Sequence, residues 1–262
     1  MSQVVTTEAI VLRSMKYGET SRIVTFYTKL FGKVSGIVKG ARQVKNKYGA
    51  SLQPMSYVSL VFYRKEGRDL QTVTQCDMIT SYRYLAEDME KMAAGMAMIE
   101  LVSNISFGEE ENVPLFALLV GSLAAVNDAT KSPALLLYHF ELRLASVLGI
   151  RPRFDECIGC RAVVPAEDSS AGSIAYHLGR GGPLCAACAS VPGPLRKLST
   201  RTMRVLKELA RCETYEQVCA IEPGRQTQEE INGFLVDFLR HHISGLRSLR
   251  SERVFSRLLD AG

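Results

Sequence analysis

Alternating apolar and polar residues dominate the first 80 residues and predict short β-strands. In the second such segment, Ile23, Thr25 and Tyr27 share one face, which is the period of a strand. Turn signals separate the segments, and one long connection covers residues 40–54. Five short strands of this kind predict a five-stranded β-barrel of the oligonucleotide/oligosaccharide-binding (OB) type, although an SH3-like barrel gives nearly the same pattern. The predicted strands cover residues 8–15, 22–28, 33–38, 57–63 and 70–77.

Beyond about residue 81 the apolar spacing becomes helical. Met92, Met96 and Ile99 recur at helix intervals, and two later segments each open near a proline. Ser199 or Thr200 is suited to cap a further helix. The predicted fold class is α+β, with an OB-type barrel domain over residues 1–80 and a helical domain over residues 81–262. The predicted helices cover residues 84–105, 113–126, 133–149, 200–212 and 228–259.

Four of the seven cysteines form two CxxC pairs, Cys157/Cys160 and Cys185/Cys188, separated by 24 residues. This is the ligand spacing of a structural zinc site, because two intervening residues let both sulfurs of a pair face one metal. Four thiolates fill a tetrahedral Zn²⁺ shell and leave no position for water or substrate. The pattern predicts one structural zinc ion in a module at about residues 151–195, and His177 is expected to be an ordinary hairpin residue. The alternative is two redox-active or merely buried cysteine pairs.

The positive charge lies mainly in the first 80 residues. They hold 12 Lys/Arg and 5 Asp/Glu, a net charge of +7, and the remainder carries −2. A loop with four cations in nine residues, 39–47, can follow a phosphate backbone, and the nearby aromatics Phe26, Tyr27, Tyr57 and Tyr63 could stack on bases. The alternative is a solvated loop with these aromatics in the barrel core. The predicted polyanion-binding face therefore belongs to the N-terminal part.

A second cationic set lies near the C-terminus, where Arg250, Arg253 and Arg257 would share one helix face. A solvated face near a helix C-terminus explains this set equally well. The residues predicted to contact DNA are Arg22, Lys33, Lys39, Arg42, Lys45, Lys47, Arg250 and Arg253.

Composition and motifs exclude several classes of protein. A hydrophobic fraction of 47% supports a buried core, and no apolar run reaches membrane-spanning length. The cysteine spacing fits a reducing cytoplasm better than a disulfide framework, and no signal-peptide pattern opens the chain. There is no Walker lysine loop, HExxH or GxSxG motif. A binding protein located in the cytoplasm, rather than an enzyme, is expected.

Several segments together resemble the bacterial RecO family of recombination mediators, over essentially the full length of the chain. Each segment alone is a weak signal, and the combination is specific. The segments that carry the resemblance are EAIVLR at 8–13, YGETSRIVT at 17–25, GKVSGIVKGAR at 32–42, LQP at 52–54, LQTVTQ at 70–75, LGIRP at 148–152 followed by CIGC at 157–160, and RSLRS at 247–251.

The resemblance implies an OB-fold, a helical domain and a Cys₄ zinc module. It also implies binding of single- and double-stranded DNA, annealing of complementary strands and partnership with RecR. Members engage the acidic-hydrophobic tail of single-strand-binding protein (SSB) and help RecA load onto SSB-coated DNA in RecF-pathway repair. The tail groove is expected to be an apolar patch rimmed by cations, within residues 81–150. The expected location is the cytoplasm, at the nucleoid during repair.

Two other functions stay open on the sequence alone. An OB barrel with a basic loop serves RNA as well as DNA, so a zinc-containing RNA-binding protein is the first alternative. A metal-assisted nuclease is the second, and it fits poorly because a filled Cys₄ shell cannot activate water.

Overall fold

The computed structural model describes residues 3–43, 46–105, 110–164, 172–244 and 246. Contacts divide the chain into two compact units, residues 1–128 and 129–262. The first unit therefore contains helices as well as the predicted strands, and a domain boundary at residue 80 stays a prediction. Within the described ranges, no helix has the length and hydropathy needed to span a bilayer.

All five predicted strands form, and they close into a barrel with the order β1-β2-β3-β5-β4. β1 also pairs with β4, and only the β3–β5 pairing is parallel. β1 starts five residues before its predicted start, because its N-terminal half pairs with β4 although its own apolar alternation is weak. The strands are β1 (Gln3–Tyr17), β2 (Ser21–Thr28), β3 (Gly32–Val38), β4 (Tyr57–Arg64) and β5 (Gln71–Thr80).

Apolar side chains from every strand fill the barrel. Phe26 and Phe62 are fully buried there, and the ring of Phe31 meets that of Phe62 edge-on at 5.8 Å. The other face of β2 is also covered, because Tyr27 packs against Phe116 at a ring separation of 6.3 Å. The C-terminal end of β2 is therefore buried on both sides.

The described part of the first unit has three helices after the strands, where the sequence predicts two. The predicted helix over 84–105 is divided at Asp88, which has an extended backbone. Its carboxylate accepts hydrogen bonds from the backbone N–H groups of Glu90 and Lys91, so it caps a new helix instead of continuing the old one. The helices are α1 (Arg83–Glu87), α2 (Met89–Ile105) and α3 (Val113–Asp128).

The barrel approaches the segment before α3 closely at Gly32. This residue has a φ of +57°, and a Cβ there would lie 2.3 Å from the carbonyl oxygen of Glu110. Only glycine fits both the left-handed backbone and this contact.

The second unit surrounds α4, whose side chains are almost all buried. A three-stranded sheet with the order β7-β6-β8 lies between α4 and α5 in the chain. Phe154, Tyr176, Phe234 and Phe238 form an aromatic cluster, with Tyr176 and Phe234 4.8 Å apart. The elements are α4 (Pro133–Val147), β6 (Ser173–His177), β7 (Gly182–Leu184), β8 (Leu195–Ser199), α5 (Thr200–Arg211), α6 (Tyr215–Cys219) and α7 (Arg225–His242).

The helix predicted over 228–259 is interrupted in the structure. α7 begins at Arg225 and ends at His242, and Ile243 has an extended backbone. Continuous helical spacing in the sequence does not show where a helix leaves the core that supports it. The remainder of the predicted helix, from 247 onward, lies outside the described residues.

Candidate metal centre and nucleic-acid interface

The four cysteines of the CxxC pairs come together in the second unit. Cys157 and Cys160 lie in a tight turn between Glu156 and Val163, which form an isolated bridge. Cys185 and Cys188 follow β7 in a short 3₁₀ turn. The two turns are tied to each other by the N–H of Ile158, which donates to the carbonyl of Pro183 at 2.9 Å.

The sulfur geometry fits one metal ion. All four sulfurs lie within 4.8 Å of one another, and those of Cys160 and Cys185 are 3.6 Å apart. Four sulfurs at about 2.3 Å from a zinc ion would be separated by about 3.8 Å in a tetrahedron. A Cβ on Gly159 would lie 2.8 Å from the sulfur of Cys188, so the turn has no room for a side chain there.

The surroundings favour thiolate at Cys157. Burial raises the pKa of this thiol, but backbone N–H donors, those of Cys185 and Gly159 among them, outweigh burial and lower the pKa to about 6. Donors aimed at a sulfur are the environment of a metal-binding thiolate. Redox-active pairs would not require all four sulfurs to face one point.

His177 stands apart from the four sulfurs. Its Nδ1 accepts the N–H of Arg180 at 3.2 Å, so Nε2 carries the proton and faces the carbonyl of Pro192 at 3.4 Å. Both ring nitrogens have backbone partners, and the residue shapes the hairpin, as expected from the sequence.

The basic loop begins at the top of β3 and rests on its neighbours. Lys39 is exposed. Arg42 is exposed as well, and its guanidinium donates to the carbonyl of Gly18 in the β1–β2 turn at 2.7 Å. The Lys47 ammonium donates to the carbonyl of Thr74 at 2.8 Å. These contacts fix the loop against the barrel while its cations remain at the surface.

The other predicted DNA contacts are less exposed or lie outside the described residues. Arg22 is partly buried and donates to the hydroxyl of Ser14 at 2.8 Å. The ammonium of Lys33 donates to the carbonyl of Ser103 at the end of α2 at 2.9 Å, and burial lowers its pKa. Lys33 therefore holds a helix end to the barrel. Lys45, Arg250 and Arg253 lie outside the described residues.

The four aromatics that could stack on bases differ in their exposure. Phe26 lies in the barrel core and Tyr27 packs under α3, so neither ring can reach a base. The Tyr57 hydroxyl donates to Glu8, and its ring lies 6.2 Å from that of Phe116. Tyr63 is 45% exposed. Of the two interpretations that the sequence left open, burial in the barrel core is confirmed for Phe26, and Tyr27 is buried on the other face of β2.

A cleft beside α4 was missed by the sequence analysis. It has a volume of about 260 Å³ and is lined by apolar side chains and two arginines, and it lies between the C-terminal turns of α4, the following loop and α5. The sequence contains one indication of this cleft, because Arg143 and Arg151 lie on either side of the predicted end of the helix over 133–149. Its lining residues are Leu142, Arg143, Ser146, Val147, Arg151, Pro152 and Ala210.

Comparison with known proteins accounts for nearly the whole chain. The family model for the Recombination protein O N terminal matches residues 1–82, and that for the Recombination protein O C terminal matches residues 86–251. Three relatives are each called DNA repair protein RecO. The protein of Salinibacter ruber is 32% identical over 97% of this chain and 94% of its own length. That of Chlorobium limicola is 31% identical over 98% and 99%, and that of Streptomyces coelicolor 34% over 93% and 96%. The chain therefore belongs to the RecO family of DNA repair proteins.

Proposed function

We propose that this chain is a recombination mediator of RecF-pathway repair, located in the cytoplasm and at the nucleoid during repair. It binds single- and double-stranded DNA, anneals complementary strands and, with RecR, helps RecA load onto SSB-coated DNA. Family membership over residues 1–82 and 86–251 carries this proposal. The chain acts by binding and not by catalysis.

The barrel supports an OB-type assignment over an SH3-like one. Three consecutive antiparallel strands are followed by a long connection, and the strand after that returns to pair with β1. The parallel β3–β5 pairing closes the barrel. OB barrels bind oligonucleotides across strands and loops, and here the basic loop provides cations for the phosphates.

The cysteine cluster is proposed to hold one structural zinc ion, with Cys157, Cys160, Cys185 and Cys188 as ligands. Bound zinc would tie two turns together and supply folding free energy. With four protein sulfurs as ligands, a tetrahedral zinc shell would be filled, and the ion would have no open site at which water could be activated.

DNA contact by the basic loop is tested with Lys39→Glu combined with Arg42→Glu. Each lost phosphate contact should lower the salt slope of binding by about 0.7–0.9, whatever the DNA sequence. Lys131→Glu with Arg225→Glu makes the same change in net charge on the second unit and serves as the control. Equal affinity and salt slope in the loop variant and the wild type would contradict the assignment. Matched RNA oligonucleotides in the same titration test the RNA-binding alternative.

The cleft between α4 and α5 is proposed to bind the C-terminal tail of SSB. Leu142, Val147 and Pro152 are apolar lining residues, and Arg143 and Arg151 provide cations for an acidic peptide with apolar end residues. Arg143→Ala should lower the affinity for a fluorescent SSB-tail peptide about tenfold, because it removes a charged partner. Unchanged peptide affinity would place the groove elsewhere.

A further inference from the structure

The solvent face of α5 is strongly cationic. At 3.6 residues per turn, Arg201, Arg204, Lys207 and Arg211 fall within about 120° of arc, together with Glu208. The opposite arc buries Met203, Val205, Leu206 and Leu209 in the second unit. The basic residues are therefore held at the surface by the same amphipathic pattern that anchors the helix.

The cations on this face differ in their partners. Asp155 accepts hydrogen bonds from Lys207 at 2.7 Å and Arg211 at 2.8 Å. Arg201 and Arg204 are exposed, and no ion pair joins either of them to another described residue. Asp155 thus pairs with the C-terminal part of the row, and Arg201 and Arg204 share the face with a second carboxylate, that of the exposed Glu208.

A groove runs along the same face. It measures about 660 Å³ and lies between α5 and α6, with Arg204, Lys207 and Arg211 among its lining residues. The other lining residues are Glu208, Cys212, Gln217 and Ala220, and none of the residues that line the groove is aromatic or a large aliphatic. The groove differs in this respect from the cleft on the α4 side of α5.

We propose that the solvent face of α5 binds the backbone phosphates of a second nucleic-acid strand, separately from the basic loop of the barrel. The proposal rests on the proposed function, since it assigns a second surface to the same annealing activity. Arg201 and Arg204 make the main contacts. Lys207 and Arg211 add contacts when phosphate competes with Asp155 for them.

The dimensions favour a nucleic-acid strand over an acidic peptide. From Arg201 to Arg211 the row is about 15 Å long. One strand of B-form DNA presents about four phosphates over that distance. An acidic peptide with apolar end residues is anchored by large apolar side chains, and none of the residues that line this groove is aromatic or a branched aliphatic. Contacts to phosphates alone carry no sequence information, which suits a protein that must accept any strand.

A second phosphate-binding surface on the same chain has a consequence for annealing. Two complementary strands repel each other, and a chain that holds one on each surface lowers that repulsion by counterion release on both. Loss of the α5 surface should then impair annealing far more than it impairs binding of a single strand.

The test compares two double variants of the full chain, Arg201→Glu/Arg204→Glu on α5 and Lys39→Glu/Arg42→Glu on the basic loop. Lys131→Glu/Arg225→Glu is the charge-matched control, and Arg201→Gln/Arg204→Gln repeats the α5 test in case the reversed charges disturb folding. Binding of a single-stranded oligonucleotide, its stoichiometry, and annealing of bare and SSB-coated complementary strands are measured for each. The α5 variant should anneal complementary strands about tenfold more slowly than the wild type, while its affinity for the first strand stays within about threefold. It should bind one oligonucleotide per chain instead of two.

Three results would overturn the proposal. Wild-type annealing and stoichiometry in both α5 variants would show that this face does not bind DNA. An equal loss of first-strand binding and annealing would make α5 part of a single site. Normal annealing of bare strands with a loss only on SSB-coated strands would assign the groove to a protein partner. By contrast, a wild-type chain that neither binds nor anneals DNA would refute the proposed function itself.

Discussion

The barrel and the cysteine module are stabilised in different ways. Fourteen buried side chains form the barrel core, with Phe26, Leu60 and Phe62 fully covered. The module core has three buried members, Cys157, Val164 and Leu184, and partly buried side chains around them. A small core of this kind supplies too little hydrophobic free energy to hold a fold, so the module depends on its sulfurs and on the metal they are proposed to bind.

Metal removal should therefore give the largest effect of all, and only in the second unit. Structural zinc contributes about 10–16 kcal/mol of apparent binding free energy in zinc-finger peptides. Cys157→Ser, or a strong chelator, should expose residues 151–195 to proteolysis while the barrel amides keep their hydrogen-exchange protection. Cys76→Ser is the matched control, because that buried cysteine lies in the barrel core. A metal-free variant with an intact module would disprove the dependence on zinc.

A cavity in the barrel is the converse experiment. Phe62→Ala should lower the free energy of unfolding by about 3–5 kcal/mol, since it removes a fully buried ring. The zinc content should stay at one ion per chain, as the cysteines belong to the other unit. Urea unfolding with zinc analysis measures both quantities. A loss of zinc on this substitution would mean that the two units do not fold independently.

A helix cap in the second unit should give a smaller change. The Ser199 hydroxyl accepts the N–H of Thr202 at 3.1 Å, and both of these side chains donate to the carboxylate of Glu230 in α7. Ser199→Ala should reduce stability by about 1 kcal/mol, because the first turn of α5 loses its cap. Thermal unfolding should show a drop for Ser199→Ala and almost none for Ser190→Ala, a serine outside any helix. Equal melting temperatures for the two variants would contradict the role of the cap.

The sequence was sufficient where one local pattern determines one outcome. Strand alternation located all five strands, and the CxxC spacing correctly predicted that the four sulfurs lie together. It failed where the outcome depends on what covers a surface. β2 alternates as if one face were solvated, yet Tyr27 on its second face is buried under α3. Only tertiary packing decides this.

Net charge summed over a long region hides local differences. Residues 81–262 carry a net −2, which concealed an acidic segment at 81–128 and a basic one at 129–262. The second segment holds 18 Lys/Arg and 14 Asp/Glu, and α5 places four of those cations on one face. A sum over a long region cannot show such a face, whereas a helical projection of residues 200–211 does.

The smallest predicted effect is on the loss of folding stability at low pH. One carboxylate in each unit contributes to that loss. Hydrogen bonds from Tyr57 and Lys29 hold the pKa of Glu8 below its ordinary 4.5 in the barrel. A hydrogen bond from Lys207 and the nearby charges of Lys207, Arg211 and Arg151 hold the pKa of Asp155 below 3.8 in the second unit.

A lowered folded-state pKa means that each contribution is complete above the ordinary value and disappears as the pH falls through the lowered one. As the pH falls from well above 4.5 to well below 3.8, the Glu8→Gln barrel should therefore lose less stability than the wild-type barrel. Asp155→Asn should reduce the loss of stability of the second unit in the same way. Both side chains are more than a third exposed, so added salt should shrink both differences. Hydrogen exchange of each unit across that pH range measures them separately. A Glu8→Gln barrel with the acid sensitivity of the wild type would show that the Tyr57–Glu8–Lys29 group adds nothing to its stability.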